Sequence, residues 1–484
     1  MSKSIFEHSS PGCKGVGLPP RDTDIPLDKI IPQKYHRQSA ARLPEVSKLD
    51  VMRHYIELSH KNHFIEKGLY PLGSCTMKYN PKIHEVLARH SCFTNLHPYQ
   101  PESTMQGALE LLYELQEDLA EISGMAAVTL QPSAGAQGEF TGIKIIEAYH
   151  KAKGNTHKTK IIIPDSAHGT NPATCHLVGY DVVELKSDAQ GRCDIAHLKE
   201  LVDENTAGFM LTNPNTLGLF ETHIEEIAEI MHSVDALIYM DGANMNALLG
   251  IVQPGKIGFD IIHYNVHKTL STPHGGGGPG AGPVGVVEKL LPFLPVPMIS
   301  KDADGYHLDY SHEKTSIGKV HTFYGNFAVL LRAYIYVKML GAEGLRRVSE
   351  NAIINANYLM AILKGYYHIQ HLEHCMHEFV ADGTWQKKAN GVSTLDIAKR
   401  ILDKGFHAPT VYFPLIIPEA MMIEPTETES LASLDAFATA MIEIAQEAKE
   451  NPDLLHGAPY TTPVRRVDDV RAVKQLDPIF KIEE

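Results

Sequence analysis

Residues 259–283 read FDIIHYNVHKTLSTPHGGGGPGAGP: an apolar run, one lysine, and then a stretch rich in glycine and proline. The run 259–264 predicts a buried strand, and Lys268 follows it after a short turn. A lysine at the end of a buried strand, beside backbone that a ligand can approach closely, suits a covalent bond to a carbonyl group. Its amine can form a Schiff base, because low-dielectric surroundings favour the neutral, nucleophilic form. Taken alone, the lysine is also in keeping with a solvated loop charge.

An aspartate upstream of this lysine also closes an apolar run. Asp241 follows residues 236–240 and is itself followed by the small residues of 242–244. Open α/β sheets place their ligands beyond the carboxyl ends of the strands. An aspartate there can pair with a protonated ring nitrogen, as pyridoxal phosphate requires if it is to accept electrons. On local grounds a helix N-cap is an equally good interpretation.

A turn of small residues precedes a predicted helix at 138–151. Residues 132–139 (PSAGAQGE) connect this helix to the apolar run 127–131. Such a turn offers a phosphate backbone N–H groups, a hydroxyl and the positive end of the helix dipole. The turn lacks the Lys-Ser/Thr ending of a nucleotide P-loop and the spacing of a dinucleotide fingerprint, which excludes both interpretations. A plain tight turn is the alternative. The candidate phosphate contacts are Ser133, Ala134, Gly135 and Gln137.

Two further polar residues follow predicted strands. His168 comes after the strand 160–164, where its flat ring could stack on a cofactor, although a lone histidine is more often structural. Asn213 comes after the strand 207–212, where its amide could donate to a phenolate oxygen. Asn244 and His267, close to Asp241 and Lys268 in sequence, complete the candidate cofactor contacts. The succession of phosphate turn, stacking ring, Asn, Asp and Lys, each after an apolar strand, resembles fold type I pyridoxal-phosphate enzymes.

Longer motifs narrow this resemblance. They are LGSCTMKYNP at 72–81, DGANMNA at 241–247, the span 267–283, GFHAPT at 405–410 and EPTE at 424–427. All five resemble the P-protein of the glycine cleavage system, the family of glycine dehydrogenase (decarboxylating). The likeness runs from about residue 6 to residue 470. Single-chain P-proteins are about twice as long, and this chain resembles their second half as a separate protein, subunit 2 of the two-subunit form.

The resemblance implies a reaction and its partners. Pyridoxal 5'-phosphate would be held covalently on Lys268, and glycine would lose CO2 with Asp241 keeping the ring nitrogen protonated. The aminomethyl group would then pass to the lipoyl arm of H-protein, with subunit 1 as a partner in a complex of two copies of each. His168 joins Lys268 and Asp241 as a candidate catalytic residue. Cys75, His407 and Glu427, in family motifs, are candidate substrate contacts.

Alternatives stay open at this point. Cys75 could be a packed small side chain, and His407 and Glu427 could be buried hydrogen-bonding groups. Another fold type I enzyme, such as an amino-acid decarboxylase, is the nearest rival function, and a non-catalytic scaffold subunit is a rival of a different class. A self-sufficient homodimer is the alternative to a complex with subunit 1.

Composition excludes other classes of protein. The chain has 484 residues, 43% hydrophobic and 21% charged, which is ordinary for a globular protein. A net charge of −14 argues against nucleic acid or an anionic membrane as a partner. No secretory signal, membrane span, CxxC pair or zinc motif appears, so we expect a cytoplasmic enzyme with reduced thiols and no metal.

The order of elements predicts an α/β fold. Apolar strands alternate with helices from 127 to 264, which indicates a mostly parallel sheet covered on both faces. We expect an N-terminal arm with a few helices (1–90), a large cofactor-binding domain (91–330) and a smaller C-terminal α+β domain (331–484).

Overall fold

The computed structural model describes residues 3–274 and 280–477. The chain forms two compact units, Met1–Phe64 together with Pro459–Glu484, and Ile65–Ala458. Residues 275–279 of the glycine-rich stretch lie outside the described residues. No helix in the described ranges combines the length and apolar character that crossing a membrane requires.

A seven-stranded sheet forms the centre of the larger unit. Its strands are β1 (Ala127–Thr129), β2 (Lys160–Pro164), β3 (Asp181–Leu185), β4 (Thr206–Thr212), β5 (Leu237–Gly242), β6 (Ile261–Tyr264) and β7 (Val284–Val286). They lie in the order β1-β7-β6-β5-β4-β2-β3. Strand β7 is antiparallel to β1 and β6, and the other neighbours are parallel. The predicted mostly parallel sheet is therefore confirmed.

The described residues form fifteen α-helices. They are α1 (Leu27–Ile30), α2 (Lys48–His60), α3 (Lys82–Ala88), α4 (Ser91–Thr94), α5 (Gln106–Ser123), α6 (Gly135–Ala152), α7 (Thr170–Val178), α8 (Ile195–Leu201), α9 (Ile224–Ser233), α10 (Phe327–Leu363), α11 (Thr384–Asn390), α12 (Thr394–Asp403), α13 (Leu431–Glu450), α14 (Pro452–His456) and α15 (Asp469–Lys474). The long α10 has a break at Gly341, where the backbone leaves helical geometry. This break divides α10 into two helical segments.

Close packing of α6 on the sheet depends on a glycine. A Cβ atom at Gly142 would lie 2.1 Å from the ring of Tyr239 on β5, which is fully buried. Glycine in a helix costs about 1 kcal/mol relative to alanine. Here its missing side chain lets the helix lie directly on the strand that carries Asp241.

A second sheet lies in the C-terminal part of the larger unit. Strands β10 (Phe379–Asp382), β11 (Thr410–Val411) and β12 (Ala420–Ile423) are antiparallel in the order β10-β12-β11, and a separate hairpin pairs β8 (Met298–Lys301) with β9 (Tyr306–Asp309). The second half of α10 and the helix α13 share an apolar core with the three-stranded sheet.

The smaller unit has almost no core of its own. Of its described residues, only Val46, His54 and Pro459 are buried. Large apolar side chains are exposed along it, namely Val16, Leu18, Ile25, Leu27, Ile30, Ile31, Tyr35, Leu43, Leu49, Met52, Tyr55, Ile56, Val464, Val467, Val470, Val473 and Leu476. An apolar surface of this extent is typical of a segment that packs against another protein chain.

Candidate active site

A cavity of about 220 Å³ opens at the carboxyl ends of β2, β4, β5 and β6. Its position follows from the parallel sheet, because parallel strands bring their carboxyl ends to one edge. The residues that line it are Ser74, Gly135, Ala136, Glu139, His168, Thr170, Thr212, Pro214, Asn215, Thr216, Asp241, Ala243, Asn244, Asn265, His267, Lys268, His377 and Glu378. Among them are residues that the sequence predicts and several that it does not.

Asp241 is buried and held in one orientation. The Asn171 amide donates to its Oδ2 (3.0 Å), and the N–H of Ala243 donates to its Oδ1 (3.0 Å). Burial alone would raise the pKa of Asp241. The nearby His263 ring, these two hydrogen bonds and the charge of Lys268 outweigh burial and lower that pKa below its ordinary value. The side chain is therefore a carboxylate, and no helix begins after it, so the N-cap interpretation is wrong.

His263 and Tyr239, on the buried strands β6 and β5, lie next to Asp241. His263 Nε2 lies 3.5 Å from Asp241 Oδ1, and the Tyr239 hydroxyl lies 2.6 Å from His263 Nδ1. Burial lowers the pKa of His263, which favours the neutral ring. A neutral ring that accepts from the tyrosine at Nδ1 directs its Nε2–H towards Asp241. His263 is not among the site residues that were predicted from the sequence.

A second buried carboxyl group lies beside Asp241. Glu139 on α6 accepts hydrogen bonds from the hydroxyls of Thr170 (2.8 Å) and Thr174 (3.2 Å). Burial and the neighbouring negative charge of Asp241 raise the pKa of Glu139 to about 7. Glu139, Asp241 and His263 each offer one ligand atom within 4.8 Å of the others, so this group could also hold a metal ion.

Lys268 lies in the turn that follows β6. Its backbone N–H donates to the Asn265 carbonyl (2.9 Å), and its own carbonyl accepts from the N–H of Ser271 (3.1 Å). The side chain lines the cavity and makes no hydrogen bond or ion pair within the described residues. Its charge helps to lower the pKa of Asp241, which lies in the same cavity.

The first turn of α6 forms part of the cavity wall. Gly135 and Ala136 line the cavity, and a Cβ atom at Gly135 would lie 2.2 Å from Asn265 Oδ1. Glycine at this position therefore lets the helix N-terminus come close to the strand end that precedes Lys268. N–H groups in the first turn of a helix have no partner within the helix and attract anions.

Of the other three predicted phosphate contacts, Ser133 and Gln137 interact with each other. The backbone N–H and the hydroxyl of Ser133 donate to Gln137 Oε1, at 2.6 and 2.7 Å. The amide of Gln137 donates to the Val320 carbonyl (2.5 Å). Ala134 precedes the helix as its N-cap residue, with extended backbone geometry. Ser133 and Gln137 thus brace the turn, while Gly135 and Ala136 face the cavity.

Two histidines flank Lys268 in sequence. The rings of His267 and His274 pack edge to face, with centroids 5.3 Å apart. Burial, the His274 ring and Lys268 lower the pKa of His267 to about 4. His267 is therefore neutral, and its buried Nδ1 has no hydrogen-bond partner among the described residues.

His168 and Asn213 differ in how they relate to the cavity. The His168 ring lines it, accepts the N–H of Thr170 at Nδ1 (3.2 Å) and packs edge to face with Phe413. Asn213 is buried and accepts the N–H of Glu221 (2.9 Å), and it is not one of the lining residues. Its neighbour Thr212 does line the cavity. Thr212 Oγ1 and Asn213 Nδ2 are both buried without a partner in the described part of the chain.

Asn244 connects the Asp241 loop to the motif at 72–81. Its amide donates to Thr76 Oγ1 (2.7 Å) and to Glu424 Oε1 (3.0 Å). The same carboxylate accepts from the N–H (3.0 Å) and the hydroxyl (2.7 Å) of Thr76. Asn244 thus reaches the cavity as part of a buried polar network that joins three of the sequence motifs.

Two lining residues, His377 and Glu378, come directly before β10. They were not predicted from the sequence, because they lie more than a hundred residues after Lys268. Glu378 Oε2 accepts the N–H of Ser74 (2.6 Å), and both side chains are buried. A glutamate directly before an apolar strand was the one available signal. One carboxyl oxygen of Glu378, one of Glu424 and one ring nitrogen of His377 lie within 4.8 Å of one another.

Three candidate substrate contacts lie outside the cavity lining. Burial raises the pKa of Cys75 to about 11, so its thiol is protonated, which favours a packed side chain over a reactive one. The His407 ring stacks on Tyr70, with centroids 4.2 Å apart. Glu427 forms an ion pair with the buried Lys78 (2.7 Å). The structure thus places His407 and Glu427 in internal contacts, as the alternative interpretation has it.

The residues of the cavity fit pyridoxal phosphate. A primary amine, a buried carboxylate, a flat neutral ring and the N-terminus of an 18-residue helix all face one space. Unpartnered buried polar atoms at Thr212, Asn213 and His267 are in keeping with a polar ligand. The group would be held by Lys268, by the α6 N-terminus at its phosphate and by Asp241 at its ring nitrogen.

Solved structures share this fold. A glycine decarboxylase (P-protein) of the glycine cleavage system, solved in inhibitor-bound form, matches with a TM-score of 0.72 at 22% identity, over 86% of this chain and 94% of that chain. A glutamate decarboxylase from Lactobacillus brevis matches with a TM-score of 0.65 at 15% identity, over 87% of this chain and 97% of that chain. At these identities the likeness establishes the fold type I architecture.

Sequence comparisons establish the family. Residues 20–311 match the family described as glycine cleavage system P-protein, and residues 348–455 match the C-terminal domain of glycine dehydrogenase. A probable glycine dehydrogenase (decarboxylating) subunit 2 from Chlorobium chlorochromatii is 58% identical over 98% of each chain. One of the same description from Halalkalibacterium halodurans is 55% identical over 99% of this chain and 98% of its own. The chain therefore belongs to the glycine cleavage system P-protein family.

Proposed function

We propose that this chain decarboxylates glycine with pyridoxal phosphate and passes the aminomethyl group to the lipoyl arm of H-protein, releasing CO2. The observation that carries this proposal is the cavity, in which Lys268, the Asp241 carboxylate and the α6 N-terminus converge in a member of the P-protein family. Relatives more than 50% identical over nearly their whole length are described as probable glycine dehydrogenase (decarboxylating) subunit 2, which supports the decarboxylation.

Each residue has a role that follows from its surroundings. Lys268 would hold the cofactor covalently and release it when glycine binds. When bound, the cofactor provides an electron sink for the electron pair that the departing carboxylate leaves behind. Asp241 keeps a proton on the ring nitrogen, and the Asn171 amide and the Ala243 N–H fix its carboxylate for this task. His168 would stack on the ring, and its neutral state suits that contact.

Phosphate binding is assigned to the first turn of α6. The N–H groups of Gly135 and Ala136 face the cavity, and the Ser133 hydroxyl could turn from Gln137 to a phosphate oxygen. His267, neutral at physiological pH, could donate a further hydrogen bond. Thr212, which lines the cavity, has a buried hydroxyl without a partner among the described residues and could contact the cofactor. Glycine has no side chain to grip, so selection against larger amino acids would be steric.

Borohydride reduction and peptide mapping test the assignment of Lys268. We expect the reduced pyridoxyl label on the peptide that contains Lys268, and no label in Lys268→Ala, which should fold but lose glycine decarboxylation. Lys144→Ala is the matched control, since Lys144 is on α6 but does not line the cavity. A label on any other lysine would contradict the assignment.

The exposed apolar side chains of the smaller unit support a partner chain. We infer that subunit 1 covers them in a complex of two copies of each subunit, acting in the cytoplasm with lipoylated H-protein. Sizing the chain with and without subunit 1, together with a glycine–bicarbonate exchange assay, tests this inference. Full activity without subunit 1 would favour a self-sufficient homodimer and refute the heteromeric assembly.

A further inference from the structure

Two buried glutamates, Glu378 and Glu424, lie at the end of the three-stranded sheet, and Glu378 lines the cavity. Glu378 comes directly before β10, and Glu424 comes directly after β12. These strands are antiparallel, with Phe379 opposite Ile423, so one further step along the ladder brings the two glutamates side by side. One oxygen of each carboxyl and one ring nitrogen of His377 lie within 4.8 Å of one another.

Hydrogen bonds indicate which of the two glutamates carries a proton. Glu424 accepts three hydrogen bonds, from the N–H and hydroxyl of Thr76 and from the Asn244 amide, which suits a carboxylate. Glu378 accepts one, from the N–H of Ser74. Two carboxyl groups so close together and so deeply buried cannot both ionise without a large free-energy cost. The proton of the pair therefore belongs on Glu378.

The electrostatic surroundings of Glu378 agree with this assignment. Burial, and then the neighbouring Glu424, raise the pKa of Glu378 well above its ordinary value, although the charge of Lys268 acts in the opposite direction. His377 is the other titratable group beside it, with Nε2 3.7 Å from Glu378 Oε1. Burial lowers the pKa of His377, so this ring is neutral and the proton of the pair stays on Glu378.

Other protonated groups in this region are less suited to deliver a proton into the cavity. Glu139 lies beside Asp241 and is held by Thr170 and Thr174, on the side where the ring nitrogen would bind. The Cys75 thiol, with a pKa of about 11, does not line the cavity. Glu378 does line it, together with Lys268.

We propose that Glu378 is the acid that protonates the sulfur released when the lipoyl disulfide is opened. The proposal rests on the proposed function, and it adds a catalytic residue to that reaction. The reaction breaks a disulfide and must leave one sulfur as a thiol. A thiolate formed in the cavity takes a proton most readily from an acid that already lines the cavity.

The step balances as follows for atoms and electrons. Loss of CO2 leaves the electron pair of the broken C–C bond on the glycine carbon, and this pair forms a new C–S bond to one lipoyl sulfur. The S–S bond breaks, and its electron pair stays on the second sulfur, which takes the proton from Glu378. Glu378 then regains a proton from solvent once the product has left the cavity. That uptake offsets the proton that the ammonium group of glycine loses, so there is no net change in protons.

Glu378→Gln in the complete enzyme tests the proposal, because glutamine keeps the shape but has no acidic proton. We expect the variant to bind glycine as the wild type does, and to form the lipoyl thiol on H-protein at least about 100-fold more slowly in a single turnover, the usual contribution of general acid catalysis. Its rate should rise as the pH is lowered, since solvent must then supply the proton. Glu429→Gln, at a half-buried glutamate outside the cavity, should transfer at the wild-type rate.

Infrared spectroscopy of the cofactor-free chain gives a readout that does not depend on turnover. The wild-type spectrum minus the Glu378→Gln spectrum should contain a protonated carboxyl C=O band at neutral pH, and its absence would overturn the proposal. Equal transfer rates in an active wild type and in Glu378→Gln would also overturn it, with the function left standing. Failure of the wild-type enzyme to release CO2 from glycine would overturn the proposed function, and this proposal with it.

Discussion

A buried ion pair connects three motifs around the cavity. Lys78 Nζ lies 2.7 Å from Glu427 Oε1, and the two side chains are 1% and 8% exposed. The same ammonium donates to Asn246 Oδ1 and to the Tyr336 hydroxyl, both at 3.0 Å, and the Asn246 amide donates to Glu427 Oε2 (3.0 Å). Every charged atom of the pair therefore has a partner. We expect Glu427 to act in folding stability and not as a substrate contact.

Glu427→Gln should destabilise the chain strongly. The substitution leaves the Lys78 ammonium buried with neutral partners, and breaking a buried pair on one side costs about 3–5 kcal/mol. At about 1.4 kcal/mol per factor of ten, this is roughly two to three and a half orders of magnitude in the folding equilibrium. Burial lowers the pKa of Lys78, but Glu427 outweighs it, and the net shift is upward. A raised lysine pKa contributes stability that is complete at neutral pH and is lost only when the pH rises through that pKa.

Urea unfolding of four proteins measures the effect. The double variant Lys78→Met/Glu427→Gln should recover much of the loss, because it buries no unpaired charge. Lys338→Met is the matched control, since Lys338 pairs with Asp118 at the surface and should contribute less than about 1 kcal/mol. A Glu427→Gln protein of wild-type stability that has lost glycine turnover would refute the structural role and restore Glu427 as a substrate contact.

Three further predictions concern Asp241, Glu139 and Cys75. Asp241→Asn should keep the cofactor but lose several orders of magnitude in decarboxylation rate, each factor of ten being about 1.4 kcal/mol of barrier; near-normal turnover would contradict its role at the ring nitrogen. Glu139 has a raised pKa of about 7, so wild-type protein should lose stability relative to Glu139→Gln as the pH rises from about 4.5 to about 7, measured as thermal midpoints across this window. Parallel midpoints would show that Glu139 is ionised throughout. Iodoacetamide at pH 8 should label the exposed Cys92 much faster than Cys75, and peptide mapping that finds Cys75 labelled first would favour a reactive thiol there.

The strands of the main sheet were predictable because their signal is local. Most of the buried strands are apolar runs, and β2 has the predicted bounds 160–164. The short antiparallel β7 was not predicted, since Val284–Val286 has only three residues and follows a glycine-rich stretch. Strand β11 was missed for a similar reason, because it has only two residues, which pair with β12. Strand β12 was missed as well.

Lys268, Asp241 and the turn before α6 could be located from the sequence by itself. Each follows a predicted strand, and parallel strands bring their carboxyl ends to one edge, so residues far apart in sequence are expected to converge there. The family resemblance and the predicted α/β fold depend on the same local runs. For this part of the cavity, local pattern and chain direction are sufficient.

Only the tertiary structure decided which buried glutamates lie at the cavity and which of them carry a proton. Glu378 and Glu424 become neighbours through the antiparallel register of β10 and β12, which no local pattern encodes. Glu139 has a raised pKa because the packing of α6 buries it and places it beside Asp241. The ion pair between Glu427 and Lys78 also depends on the packed chain, because the motif at 424–427 does not indicate which residue lies beside it. Proton positions depend on burial and on neighbouring charges a few ångströms away, and those distances exist only once the chain has packed.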